Sequence, residues 1–330
     1  MMSLLLFLYD LFVPVCHHRL AMNYRCQSAH KLVELNEAFH FIPSHAFRRA
    51  ATAPLPWCHT VLDLAAAPGG FSQVAVELMQ AQHSDGAPAP GLAPTVLAFD
   101  QRTIAPLPHV ESFRGSILNH PFVTRSVQPI LERRQRALRR PPTSRADPAT
   151  AALTLSGVLH DSVSVVKGQR AFSVTYAQSQ MVLSTLLLSG SLFLKWNTSY
   201  TPVAGDAAAA MPVFYVTKAM RSAHLKQLKE VLRFFFRQVQ QHKPQSSRED
   251  SKEVYLVCSA FEWRRFSHYK TSREMHSKGG RHQARPRNLF SLAPTADDVS
   301  RSMQDSFVWH CLGCGQQRVG CSPCRVCFPC

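Results

Sequence analysis

Four side chains set far apart in the chain, Lys31, Asp161, Lys195 and Glu253, supply two ammonium and two carboxylate groups, the types that align reactants and move a proton. They matter because of a loop. Val61-Leu62-Asp63-Leu64-Ala65-Ala66-Ala67-Pro68-Gly69-Gly70-Phe71-Ser72 is an apolar run that stops at two glycines and restarts as a helical pattern. A buried parallel strand, a glycine turn and a helix N-terminus make the usual cradle of an open α/β sheet for a nucleotide-like cofactor. Asp63, Asp100, Asp161 and Lys195 each fall at or near the end of an expected strand, where such sheets bind ligands. Asp100 suits a carboxylate accepting hydrogen bonds from ribose hydroxyls, Gly69 and Gly70 let backbone approach a ligand, and Phe71 offers a flat apolar wall. Plainer readings stand beside these: Gly-Gly as a turn only, a strand-end aspartate as a helix cap, and Lys195 with Asp161 as a structural ion pair.

The elements that would position these groups alternate strand with helix. Ser28 caps an entry helix whose Leu32, Leu35, Ala38 and Phe39 recur at helical spacing, which puts Lys31 in its first turn. Strands are expected at His59 to Ala65, Thr95 to Asp100, Val110 to Arg114, Leu153 to Leu159, Leu192 to Lys195 and Glu253 to Cys258. Helices are expected after Gly70, over Val174 to Leu188, and as a long element through Leu232 preceded by a Gly/Ala/Pro loop at 202–212. Residues 125–150 hold seven arginines and read as an exposed basic insertion. Alternating elements with continuously apolar strands specify a Rossmann-like, doubly wound, mostly parallel sheet with helices on both faces.

At 330 residues and 45% hydrophobic content the chain can bury one sizeable core with appendages. Residues 1–22 form an extension, 23–260 the main domain, 261–310 a basic tail and 311–330 a cysteine-rich end. Thirty-seven Lys and Arg against 21 Asp and Glu give +16, a balance that favours polyanions. The opening apolar run lacks a basic start and a cleavage site and is too short to cross a membrane. Only Asp10 is acidic before Glu34, which is compatible with a mitochondrial leader, and Met22 serves equally as a start. Eight Lys and Arg in residues 261–287, interleaved with Phe261, Trp263, Phe266 and Tyr269, have an RNA-binding composition or that of a solvated tail. Six of ten cysteines crowd between Cys311 and Cys330, the pattern of a reducing compartment rather than a secreted framework. Cys311, Cys314, Cys321 and Cys324 have knuckle spacing for one tetrahedral zinc, although the gap between Cys314 and Cys321 is short and the end can equally be a redox-prone tail.

The chain resembles the FtsJ-type family of S-adenosyl-L-methionine-dependent RNA ribose 2′-O-methyltransferases. The matching segments are Tyr24 to Leu32, Asp63 to Gln73, Phe99-Asp100, His160-Asp161, Gly190 to Lys195, and His242 to Arg248 running on to Ser251-Lys252-Glu253-Val254-Tyr255. The resemblance implies a seven-stranded methyltransferase sheet, S-adenosyl-L-methionine held by Asp63, Ala67, Pro68, Gly69, Gly70, Phe71, Asp100, Ser116 and Asp161, and a catalytic tetrad of Lys31, Asp161, Lys195 and Glu253. In that tetrad Lys195 is the expected general base, its ammonium weakened by Lys31 and by the cofactor's sulfonium. Asp161 holds it, and Glu253 with Lys31 orients the target nucleotide. The implied partner is RNA, most directly ribosomal RNA or a preribosomal particle, met by a monomer that needs no membrane. A tRNA- or cap-directed enzyme and a catalytically weak assembly factor remain as alternatives. Nucleolus, cytosol and mitochondrion are all compatible. The chain departs from the family pattern at Ser116, where an aspartate near the adenine amine is usual, after Asp161, where Asp161-Ser162-Val163-Ser164 lacks the Asp-x-Ala-Pro continuation, and at Phe71, which replaces the more usual tryptophan.

Overall fold

The computed structural model describes residues 23–51, 55, 57–82, 93–138, 153–163, 171–197, 210–278, 308–310 and 317–319. Seven strands form one sheet: β1 Thr60–Leu64, β2 Thr95–Asp100, β3 Val110–Arg114, β4 Gly157–His160, β5 Met211–Met220, β6 Phe236–His242 and β7 Glu253–Phe261. Their order is β3-β2-β1-β4-β5-β7-β6, and all neighbours are parallel except where β7 runs between β5 and β6. The doubly wound, mostly parallel sheet is therefore as expected. Its strand order reverses between β1 and β4, so the carboxyl ends of those two strands open the crevice that ligands use in such sheets.

Helices α1 Ser28–Phe39 and α3 Gly70–Gln80 cover one face, α2 His45–Ala50 follows α1, and α4 His120–Leu138, α5 Ala171–Trp196, α6 Leu225–Phe235 and α7 Trp263–Lys278 belong to the other side. The strand alternation divides the core accordingly. Val61, Val96, Leu159, Val216 and Tyr255 pack with Leu32, Leu35 and Val74. Leu62, Leu64, Leu97, Phe99 and Val158 pack with Val127, Leu131, Leu186, Leu232 and Phe266. Residues Val308–His310 and Gln317–Val319 pair as a separate antiparallel ladder.

Four expectations are corrected. Residues 125–138 are not a surface insertion but most of α4, because Val123, Val127, Ile130 and Leu131 recur at helical spacing and are buried, and Arg134 is buried with them. Residues 139–150 lie outside the described part. Leu192 to Lys195 is not a strand but the end of α5. Gly190 lies inside that helix; a Cβ there would collide with the Phe266 ring, so the glycine admits α7 against α5. Met211–Met220 is a strand, with the helix reduced to Leu225–Phe235. Finally, Ser28 is the first helical residue of α1 and makes no cap, which Gln27 occupies without a side-chain bond. Ala177–Trp196 is long and apolar enough to span a membrane, yet two-thirds of it is buried under β4 and β5 as a core helix.

Candidate functional site

The chain leaves β1 through Ala65, which has a left-handed φ of 68°, and the amides of Ala65 and Ala66 both donate to the Phe99 carbonyl at the end of β2. This hook lifts Ala66-Ala67-Pro68 over the crevice, with a cis Ala67–Pro68 peptide. Gly69 then turns the chain into α3 at φ 110°, a conformation that favours glycine. A Cβ on Gly70 would collide with Cys26 Sγ, so Gly70 permits α1 to approach α3. Arg25, which the sequence reading passed over, clamps the loop by donating to Pro68 O at 3.3 Å, Ala105 O at 2.6 Å and Pro106 O at 2.7 Å.

A cleft of about 580 Å³ opens beside this loop. Of the expected cofactor residues, Ala67, Phe71, Asp100, Ser116 and Asp161 line it. Asp63, Pro68, Gly69 and Gly70 do not; they shape the loop and its packing. Asp100 accepts from Ala67 N at 2.9 Å and Arg102 N at 2.8 Å, with the exposed Arg102 guanidinium at 3.4 Å. A carboxylate has about four acceptor sites, so it keeps room for one more donor. Leu118 and Val163, both about half exposed, add apolar surface at the cleft.

Asp63 is fully buried; Ser72 donates to Oδ2 at 2.6 Å, while Oδ1 finds no hydrogen-bond partner among the described residues. Burial first, and then the charges of Asp161 and Asp100, push its carboxyl up to about 7. The carboxylates of Asp161 and Asp100 are thus near enough to help keep that proton in place. The shift also carries a consequence for stability. The folded protein holds a proton on Asp63 that the unfolded chain releases near pH 4, so stability falls as pH rises from about 4 to about 7, by up to about 4 kcal/mol. Denaturation midpoints between pH 5 and 8 should therefore decline in the wild type and flatten in Asp63→Asn; equal slopes would contradict the assignment.

The lysine that meets Asp161 is Lys218 rather than Lys195. Asp161 follows β4, and its Oδ1 lies 2.6 Å from Lys218 Nζ near the end of β5 and 2.7 Å from the Tyr255 hydroxyl, which donates to it. Lys218 and Tyr255 are directly paired across β5 and β7, and paired residues point to one face. Glu253, two residues before Tyr255, shares that face and meets Lys31 from the first turn of α1 as an ion pair. Burial raises the Glu253 carboxyl, but the Lys31 ammonium, with Lys218 further off, outweighs it and holds the group below its ordinary value. Burial and the Asp161 charge hold the Tyr255 phenol far above its own. Phe71 stacks on Tyr255 at 6.2 Å.

Lys195 stands in the last turn of α5, exposed, donating to Gln128 at 3.3 Å and lying 4.8 Å from the Trp196 ring centre. Two residues on, Asn197 bonds both backbone groups of Leu155, ahead of β4. That is the amino edge of the sheet, opposite Asp161. The four charges that converge are thus Lys31, Asp161, Lys218 and Glu253. A signal for Lys218 was available, since Val213 to Thr217 is an apolar strand that ends in lysine.

Beneath the Asp161–Lys218 pair lies His160, fully buried. Its Nδ1 is 2.8 Å from Thr217 Oγ1 and its Nε2 is 2.6 Å from Ser162 Oγ. Burial, and secondarily the Lys218 ammonium, lower its pKa to about 3, so the ring is neutral at working pH.

In α7, Phe266 and Tyr269 are buried, as is Phe261 just before it, and Trp263 packs on the same core. These aromatics are core side chains and not a surface for stacking bases, which corrects that expectation; Arg264, Arg265 and Lys270 stay exposed. Cys311, Cys314, Cys321 and Cys324 lie outside the described residues, and among those described no group of His, Cys, Asp and Glu could hold a metal.

A family model described as FtsJ-like methyltransferase matches residues 24–261. The chain is 28% identical over 239 residues to a pre-rRNA 2′-O-ribose RNA methyltransferase of Pongo abelii, covering 72% of this chain and 21% of that protein. It is 26% identical over 246 residues to an AdoMet-dependent rRNA methyltransferase of Aspergillus fumigatus, covering 74% and 23%. The chain thus spans about a fifth of the length of the curated relatives it matches. A solved structure described as a ribosomal RNA methyltransferase of Plasmodium falciparum has a TM-score of 0.47 and 19% identity, covering 72% of this chain and 99% of that one.

Proposed function

Because the chain belongs to the FtsJ-like methyltransferase family, we propose that it transfers a methyl group from S-adenosyl-L-methionine to a ribose 2′-hydroxyl of RNA, with ribosomal RNA as the substrate class. The observation that carries this reading is the convergence of Lys31, Asp161, Lys218 and Glu253 beside a cleft at the carboxyl edge of the sheet. When bound, S-adenosyl-L-methionine supplies an electrophilic methyl on a positively charged sulfur. The residues present fit such a group: Ala67, Phe71 and Asp100 line the cleft, and Asp100 retains an acceptor site for a sugar hydroxyl.

Within this reading Lys218 Nζ is the group placed to receive the 2′-hydroxyl proton. Asp161, itself held by the Tyr255 hydroxyl, keeps that nitrogen aimed, and the Lys31–Glu253 pair aligns the ribose. Holding the reactants in line matters as much as the proton transfer, since alignment converts an encounter into an intramolecular step. Exposed Arg221 and Lys252, joined by the Arg221 N to Lys252 O bond of 2.7 Å, flank Lys218 and Glu253 and can take up phosphates. Mapping ribose methylation in cells that lack the protein tests the assignment: loss of a ribosomal RNA mark supports it, loss confined to tRNA or cap positions moves the substrate, and an unchanged map overturns it. For the tail, the two Cys-x-x-Cys spacings support a zinc ion held by Cys311, Cys314, Cys321 and Cys324. One equivalent of zinc in purified, reduced protein is the expected metal content, and none would reject it.

A further inference from the structure

We infer that His160 and Gln178 form a positioning clamp that sets the distance and direction of the Asp161–Lys218 pair from below, an inference that rests on the methyltransferase reading of that pair. Asp161 and Lys218 sit at the ends of two different strands, β4 and β5, and nothing in either strand alone fixes the separation of two side-chain heads that must meet a third group. The residues beside them supply the missing constraint. Ser162, next after Asp161, and Thr217, next before Lys218, are bridged by one imidazole ring at 2.6 and 2.8 Å. The neutral ring presents one donor and one acceptor nitrogen, which matches two hydroxyls able to play either part.

A second bridge is made from α5. Gln178 Nε2 donates to Ser162 O at 3.1 Å and to Lys218 O at 3.0 Å, so its amide ties the backbone after Asp161 to the backbone of Lys218 itself. His160 is wholly buried and Gln178 nearly so, which keeps water from competing for these bonds. Ser162 Oγ also lies 2.8 Å from Met181 Sδ, and Thr185 Oγ1 reaches His160 Nδ1 at 3.4 Å and Tyr215 OH at 2.7 Å. The network thus anchors both strand ends to the body of α5. Neither His160 nor Gln178 lines the cleft, so their action on the reaction runs through Asp161 and Lys218. Ser162 then has a use: its hydroxyl gives the imidazole a partner on the Asp161 side.

The test uses the full-length protein with His160→Phe, which keeps the ring shape and loses both hydrogen bonds, Thr217→Val, which removes one hydroxyl with little change of volume, and the double variant. Methyl transfer is followed with labelled S-adenosyl-L-methionine and total RNA from cells lacking the protein, at saturating concentrations of both. Displacing a reacting group by around an ångström costs up to about 100-fold, so each single variant should lose about 10- to 100-fold in maximal rate. The double variant should lose little more than the worse single, because both changes break one bridge. KM for the RNA and calorimetric affinity for S-adenosyl-L-homocysteine should stay within about twofold, a split between kcat and KM that a merely stabilising histidine would not produce. A folded His160→Phe or Thr217→Val protein with wild-type maximal rate overturns the clamp while leaving the methyltransferase reading intact. Should His160→Phe fail to fold, Thr217→Val decides alone by the same criterion. Wild-type protein that transfers no methyl to any RNA overturns both together.

Discussion

Lys218→Arg is expected to keep the ion pair with Asp161 and lose methyl transfer by about 100- to 10,000-fold, because a guanidinium stays protonated and cannot accept the hydroxyl proton. Lys218→Met should lose a similar factor and, in addition, stability. Lys218 is 6% exposed and Asp161 14%, so removing the ammonium leaves a carboxylate largely out of water with, among the described residues, only the Tyr255 hydroxyl donating to it, a change that costs about 3 kcal/mol in comparable buried pairs. Lys195→Met, on the amino edge of the sheet, should leave the rate within about twofold and change stability by less than about 0.5 kcal/mol, as exposed substitutions do. Initial rates with saturating cofactor and RNA, alongside denaturant midpoints, separate these outcomes. An inactive Lys195→Met beside an active Lys218→Arg would remove Lys218 from the proton-accepting role.

The second large effect concerns α7. Phe266 is 1% exposed, lies within 5.5 Å of Phe235 and Phe261 by ring centres, and fills the space that Gly190 leaves on α5. Truncating a buried phenylalanine costs about 3–5 kcal/mol, the lost transfer energy plus the cavity, so Phe266→Ala should lower the thermal midpoint by roughly 10 °C. RNA affinity of the folded fraction should be unaltered. By contrast Arg264→Gln with Arg265→Gln should leave the midpoint in place and, if this exposed face meets phosphates, flatten the dependence of binding on salt. Deletion from residue 261 onward is then expected to unfold the domain rather than merely weaken RNA binding, whereas truncation after Lys278 should preserve it. A stable protein lacking residues 261–330 would contradict the assignment of α7 to the core.

Much of this was legible in the chain. The hinge from β1 through Gly69 into α3 is local, because an apolar run, a left-handed turn and a periodic helix each follow from a few adjacent residues. Asp161 at the end of β4 and Lys31 in the first turn of α1 could be placed for the same reason. Three readings failed where a local cue had two meanings. Gly190 looks like a break in any apolar run, yet here it is an indentation for the Phe266 ring. The arginines of residues 125–136 suggest solvent, yet the apolar residues between them supply α4 with a buried stripe. Aromatics beside basic residues suggest a base-stacking surface, yet their spacing turns Phe266 and Tyr269 inward.

The amino-acid order by itself determined the class of sheet, the glycine loop after β1 and the element ends that carry three of the four converging charges, since each follows from a pattern within about a dozen residues. Which lysine completes the set was decided only by the tertiary structure. Lys195 and Lys218 both end apolar stretches. Only the register of β5 against β7 pairs Lys218 with Tyr255 and so turns it toward Asp161, while the return path of α5 carries Lys195 to the far edge of the sheet. A side chain's local pattern sets its own conformation. Its partner is set by strand register and by the direction of the crossover helix, and both arise from burying the whole core at once.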